Sequence, residues 1–122
     1  MIRLFTSTLI TSLFISTISF ANEITLTTVD DFSLKTDYYP AQITNHPTSN
    51  RAVIMLHQCN YNRTMYNNIG EQLAQRGIHA LSIDFRGFGE SISDEFNVTT
   101  IGKLPKAERG KAWSKISTHW PD

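Results

Sequence analysis

The stretch "AVIMLHQCNYNRTMYNNIGEQLAQRGIHALSIDFRGFGES", residues 52–91, decides the fold. It begins with an apolar run, Ala52 to Leu56, that does not alternate with polar residues. Such a run reads as a strand over 52–57, buried on both faces of a parallel sheet. Met65, Ile69 and Leu73 then recur every four residues, with Tyr66 on the same side. That spacing predicts an amphipathic helix over 62–76. Asn62 is its N-cap. Gly77 suits a left-handed C-terminal cap, after which Ile78 would touch Leu73. Gly70 inside the helix costs about 1 kcal/mol relative to alanine, which close packing on a sheet would explain. "HALSIDF" supplies a second strand over 79–85. Strand, helix and strand at this separation make a βαβ unit with parallel strands and a right-handed crossover.

Upstream, "EITLTTVDDFSLKTDYYPA" alternates Ile24 and Leu26 with threonines, and Phe32 and Leu34 with Ser33 and Lys35. Asp30-Asp31 between them predicts a hairpin turn. The loop "QITNHPTSN" is polar, and Pro47 bars a helix there. Hairpin plus βαβ unit implies an α/β fold: a mixed sheet with helices on its faces. Beyond Ser91 the periodicity fades. Lys103, Lys106, Arg109, Lys111 and Lys115 outnumber the lone acid Glu108 over 102–115 and read as a solvated loop and helix face. Pro121 suits the first turn of a further helix.

The 122 residues allow one domain at most. Acidic and basic side chains both number 11, so no nucleic-acid partner is implied. Cys59 is the single cysteine, so no intrachain disulfide and no thiolate zinc site can form, and no metal or cofactor is expected. Residues 1–21 read as a signal peptide: Arg3 gives a positive start, an apolar stretch follows, and Ser19 and Ala21 stand at −3 and −1. Cleavage after Ala21 would export residues 22–122 to the periplasm or the medium, with no stable membrane span remaining.

An apolar strand ending in His57-Gln58, a helix, and a strand ending in Asp84-x-Arg86-Gly87-x-Gly89-x-Ser91 resembles the N-terminal part of an α/β-hydrolase. The nearest group is the dienelactone-hydrolase-like or serine-peptidase-like esterases, and the likeness covers roughly residues 24–122. The resemblance implies a partial α/β-hydrolase sheet, an incomplete domain. It implies that the backbone N–H of Cys59 is an oxyanion-hole donor, with Gln58 where the family usually carries glycine. His57 would be structural. Asp84 and Arg86 would fix the site-shaping loop by hydrogen bonds and an ion pair. Gly87 and Gly89 would let it fold tightly, and Ser91 would cap it. A dinucleotide site is excluded, because it needs G-x-G-x-x-G opening a helix.

No G-x-S-x-G elbow occurs in the sequence, so the resemblance leaves no catalytic residue here. A Cys59 nucleophile would need an adjacent base. The expectation is the N-terminal portion of an exported serine hydrolase, truncated before its elbow, inactive alone, acting on a small ester or amide only if completed. The alternatives are a small exported non-catalytic binding protein, or a half-domain that assembles with a separate C-terminal half.

Overall fold

The computed structural model describes residues 21–42 and 50–118. Residues 1–20 of the signal peptide read over 1–21, the Pro47 loop and the Pro121 helix start lie outside them. Strand β1 (Asn22–Thr27) and strand β2 (Ser33–Tyr39) form the expected antiparallel hairpin, with Ile24 opposite Thr36 and Leu26 opposite Leu34. At its turn Asp31 sits at φ 61°, a left-handed conformation that aspartate tolerates better than most residues. Thr28 holds the turn closed: its N–H donates to the Phe32 carbonyl at 2.9 Å and its Oγ1 accepts from the Phe32 N–H at 3.0 Å.

Strand β3 (Ala52–Leu56) and strand β4 (His79–Ile83) run parallel, with Val53 beside Ala80 and Leu56 beside Ile83. Strand β2 pairs with β4 antiparallel, so the four-stranded mixed sheet has the order β1-β2-β4-β3. Both parallel strands stop short of the predicted 52–57 and 79–85. The ladder ends there because the next backbone groups bond elsewhere: Asp84 N–H to the Lys35 carbonyl, and Phe85 N–H to the His57 ring.

The predicted single helix over 62–76 is two pieces. Asn62 caps a 3₁₀ turn over Arg63–Tyr66, accepting from Thr64 N–H at 3.0 Å, and helix α1 spans Asn67–Gln75. Its end is the expected Schellman motif: Gly77 at φ 75° donates to the Ala74 carbonyl, and Ile78 donates to that of Leu73. The buried face needs correction. Met65 and Ile69 are exposed, whereas Tyr66 and Leu73 pack against the core as expected, and Gly70 and Ala74 are the residues of α1 buried against the sheet. A Cβ on Gly70 would lie 2.5 Å from the Tyr39 ring, so only the bare backbone lets the helix approach. Tyr39, Met55, Ala74 and Ala80 form the resulting core on this side.

Beyond Ser91 the chain is more ordered than its pattern suggests. Helix α2 (Val98–Lys103) is capped by Asn97, and helix α3 (Lys106–Thr118) follows Pro105. A second core gathers Phe85, Phe88, Phe96, Ile101 and Ile116. Ile116 is the one buried residue of α3, which is why no period was visible, and the basic residues on α2 and α3 are exposed as expected. Among the described residues no helix is long and apolar enough to cross a membrane.

Candidate functional site

Ligands of open parallel sheets bind beyond the carboxyl ends of the strands. Two loops meet there: residues 57–61 after β3 and residues 84–91 after β4.

His57 is buried, and both ring nitrogens are engaged. Nε2 accepts from the Phe85 N–H at 3.1 Å, so Nδ1 carries the proton and donates to the Gln58 carbonyl at 2.9 Å. Phe85 and Phe88 pack against the ring, with centroids 4.9 and 5.2 Å away. His57 thus ties the two loops together and has no nitrogen left to move a proton. Gln58 meets the missing-glycine problem by turning differently. Its φ is not positive, and its carbonyl accepts from Tyr61 N–H at 3.0 Å to close a turn. On that turn the N–H groups of Cys59 and Asn60 have no bond within the described residues, and the Cys59 side chain is exposed.

The second loop is built around Asp84, which is fully buried. Its carboxylate accepts from Arg63 N–H and Arg63 Nη1, each at 2.6 Å, and from Glu90 N–H at 2.8 Å. Gly89, at φ 51°, lies so close that a Cβ there would collide with this carboxylate. Gly87, at φ 84°, is similarly pressed by Ile116, 2.8 Å from where its Cβ would be. Strand end, charge and glycines therefore belong to one construction, a carboxylate wrapped by backbone that has no side chain in the way.

Asp84 and Arg86 each hold the loop through hydrogen bonds and an ion pair, with different partners. Asp84 turns inward to Arg63. Arg86 reaches across to the hairpin turn and grips Asp30 with two bonds, of 2.6 and 2.8 Å. The guanidinium lies 4.4 Å from the Phe32 ring centroid, a cation–π contact. The Arg86 hydrogen bonds, aided by Thr28, hold the Asp30 carboxyl well below the usual carboxylate range. Ser91 is also buried, and its Oγ accepts from the Lys35 N–H at 2.8 Å while its carbonyl accepts from Gly87 N–H at 2.7 Å. It anchors the loop to β2 and faces no nucleophile's task.

Arg63 is the residue that sequence reasoning missed. It is buried and central. Besides Asp84 it contacts Glu90 and lies 3.5 Å from Glu23. Its Nε is 3.1 Å from Asp37 Oδ1 but poorly aligned for a hydrogen bond, so that contact is an ion pair. Burial opposes its charge, but the surrounding carboxylates outweigh burial and raise its pKa further.

Between the loops lies a cleft of about 320 Å³, lined by Cys59–Asn62, Phe88–Gly89, Val98, Thr99 and Trp113. A larger groove, about 480 Å³, runs between α2 and α3, away from the strand ends. In chemical terms the turn that lines the cleft carries two adjacent N–H groups without a bond among the described residues, a group type that can stabilise a negative oxygen. Among the described residues the cleft offers no base. His57 is spent, and the Nδ1 of His79, near the opposite end of the strands, accepts from the Tyr38 hydroxyl at 2.6 Å.

No family model matches the chain, and no curated protein does. Solved structures do resemble it. An esterase from Exiguobacterium antarcticum aligns at 21% identity and a TM-score of 0.48, over 58% of this chain and 24% of its own. A soluble variant of monoglyceride lipase from Saccharomyces cerevisiae, solved with a substrate analogue, aligns at 12% identity and a TM-score of 0.47. That alignment covers 88% of this chain and 33% of the lipase. The chain thus spans between a quarter and a third of the length of these structures, and likeness at this level assigns no family.

Proposed function

We propose that this chain supplies the oxyanion side of a hydrolase-type site of the esterase kind, in an exported protein. The observation that carries the reading is the pair of free N–H groups of Cys59 and Asn60, held at the end of β3 beside the Asp84 loop. In acyl transfer to water, such donors receive the carbonyl oxygen as it becomes an oxyanion. The dienelactone-hydrolase-like flavour rests on the His57-Gln58 and Asp84-to-Ser91 signatures. In this reading the serine nucleophile, the acid and the catalytic histidine lie outside residues 22–118, and the leader ends at Ala21.

A fluorophosphonate probe, which labels activated serines, tests this. Applied to the protein that carries this chain in its source cells, it should label a serine outside residues 22–118. The 122-residue chain alone should remain unlabelled and should hydrolyse activated short-chain esters no faster than background. Labelling of a serine within 22–118, or turnover that disappears with Cys59→Ala, would overturn the reading.

A second reading takes the cleft between the two loops as a binding site without catalysis. In that reading the chain belongs to a small exported non-catalytic binding protein.

A further inference from the structure

Charge is unevenly spread along the chain. Residues 103–115 carry five cations and one acid, whereas residues 22–102 carry five cations and nine acids. The acidic part turns Arg63, Arg86 and Lys35 towards its own carboxylates. The basic part does not do so. Of its five cations only Lys115 has an ion pair among the described residues, with Glu95 at 2.6 Å. Arg109 donates from Nη2 to the Leu104 carbonyl at 3.0 Å, which draws it to the corner between α2 and α3 where Lys103 and Lys106 stand. Lys106, Arg109, Gly110 and Trp113 fall at i, i+3, i+4 and i+7, so they share one face of α3. That face is open among the described residues: a Cβ on Gly110 would meet no atom within 4 Å. Trp113 is 38% exposed, and Tyr61, which lines the same cleft, is 51% exposed.

From these observations we infer that this face of α3 docks on an anionic lipid surface. Exposed cations gathered at one corner attract lipid phosphates over a Debye length, about 8 Å at physiological salt. Nucleic acid or an acidic protein would offer the same charge. The aromatic side chains favour lipid, because tryptophan and tyrosine pair an apolar body with a polar tip and settle at the headgroup level of a bilayer. The helix rests on the headgroups and does not sink among the acyl chains, since Lys106, Arg109, Gly110 and Trp113 bring no aliphatic side chain to that face. The acidic remainder of the chain is repelled by the same surface, which turns α3 towards the lipid. Docking of this kind needs no catalysis and stands whether or not the hydrolase reading holds.

Vesicles of equal parts phosphatidylglycerol and phosphatidylcholine, mixed with the full chain at about 0.15 M salt, provide the test. Lys106→Gln should weaken vesicle binding about fivefold, and the double change Lys103→Gln with Lys106→Gln about 25-fold. Both lysines are exposed and make no bond within the described residues, so these changes leave the fold intact. Arg51→Gln removes an equal charge from an exposed position at the amino end of β3, the opposite end from the cleft. It should change the affinity by less than about twofold, because charges further from the surface than a Debye length are screened. Any hold that residues 1–21 have on lipid is common to every variant. Trp113 gives a second readout. The sequence holds two tryptophans, so Trp120→Phe leaves Trp113 as the single emitter, and its emission should shift to the blue on these vesicles. Unchanged affinity in Lys106→Gln, an equal loss in Arg51→Gln, or an unshifted Trp113 emission would each overturn the lipid partner. So would duplex DNA that, at equal phosphate, binds as tightly and shifts the emission as far.

Discussion

Arg63 carries the heaviest obligation of any single side chain. Asp84 has no exposure at all, and a carboxylate in that position is tolerable only while its partner stays in place. Removing one member of a buried pair leaves an uncompensated charge, at a cost of about 3–5 kcal/mol. Arg63→Met should therefore lower the urea midpoint sharply or abolish cooperative unfolding. Arg63→Lys should recover only part of the loss, because a point charge cannot reproduce the fork that serves Asp84, Glu90 and Asp37 together. A Met variant as stable as the parent would mean that the cluster contributes nothing. Tyr39 gives a prediction at high pH. Burial, reinforced by Asp37 and Glu71, pushes its hydroxyl up from 10 to about 12. The folded state then holds a proton that the unfolded state has lost. The corresponding stability is fully present below pH 10 and is lost as pH rises towards 12. Tyr39→Phe should flatten that part of the stability profile, measured by urea unfolding at a series of pH values. A profile unchanged from the parent would rule it out.

Among the elements, β3 is the exposed one. Among the described residues it occupies the sheet edge, and Val53, Ile54 and Leu56 are 37, 63 and 51% exposed. It carries no charged residue and no proline to discourage a second strand from pairing with it. The full chain should self-associate through this edge. Ile54→Lys should shift it towards the monomer in sedimentation velocity, and Val29→Lys, on the fully exposed hairpin turn, should change nothing. An Ile54→Lys chain as large as the parent would place the association elsewhere. Much of this architecture was legible in the sequence. The hairpin, the βαβ unit and the Schellman ending follow from local chemistry: apolar runs, turn residues, and a glycine where φ must be positive. Helix α3 was not legible, because one buried isoleucine makes no period. The exposure of Met65 and Ile69 was not legible either. A stripe of large side chains looks like a packing face until Gly70 and Ala74 are seen taking that part against Tyr39.

At the scale of the molecule, the charge network escaped the sequence for a simple reason. Arg63 stands in "NYNRTMYN", a polar stretch that looks like surface, and its partners are scattered from Glu23 to Glu90. Ion pairing leaves no periodic mark, so the sequence marked Asp84 and Arg86 as loop-fixing charges without naming their partners, Arg63 and Asp30. The strand order β1-β2-β4-β3 has its own consequence for the time course of folding. The hairpin is complete by Tyr39, but β2 finds its second neighbour only in β4, whose last residue is Ile83. A chain emerging N-terminus first, from a ribosome or through a translocation channel, holds a two-stranded ribbon that is marginal by itself in water. The centre of the sheet closes only when β4 arrives, and Asp84 follows directly to engage Arg63. Until then β2 has an open side, and any partner that holds unfolded chains has that interval in which to capture it.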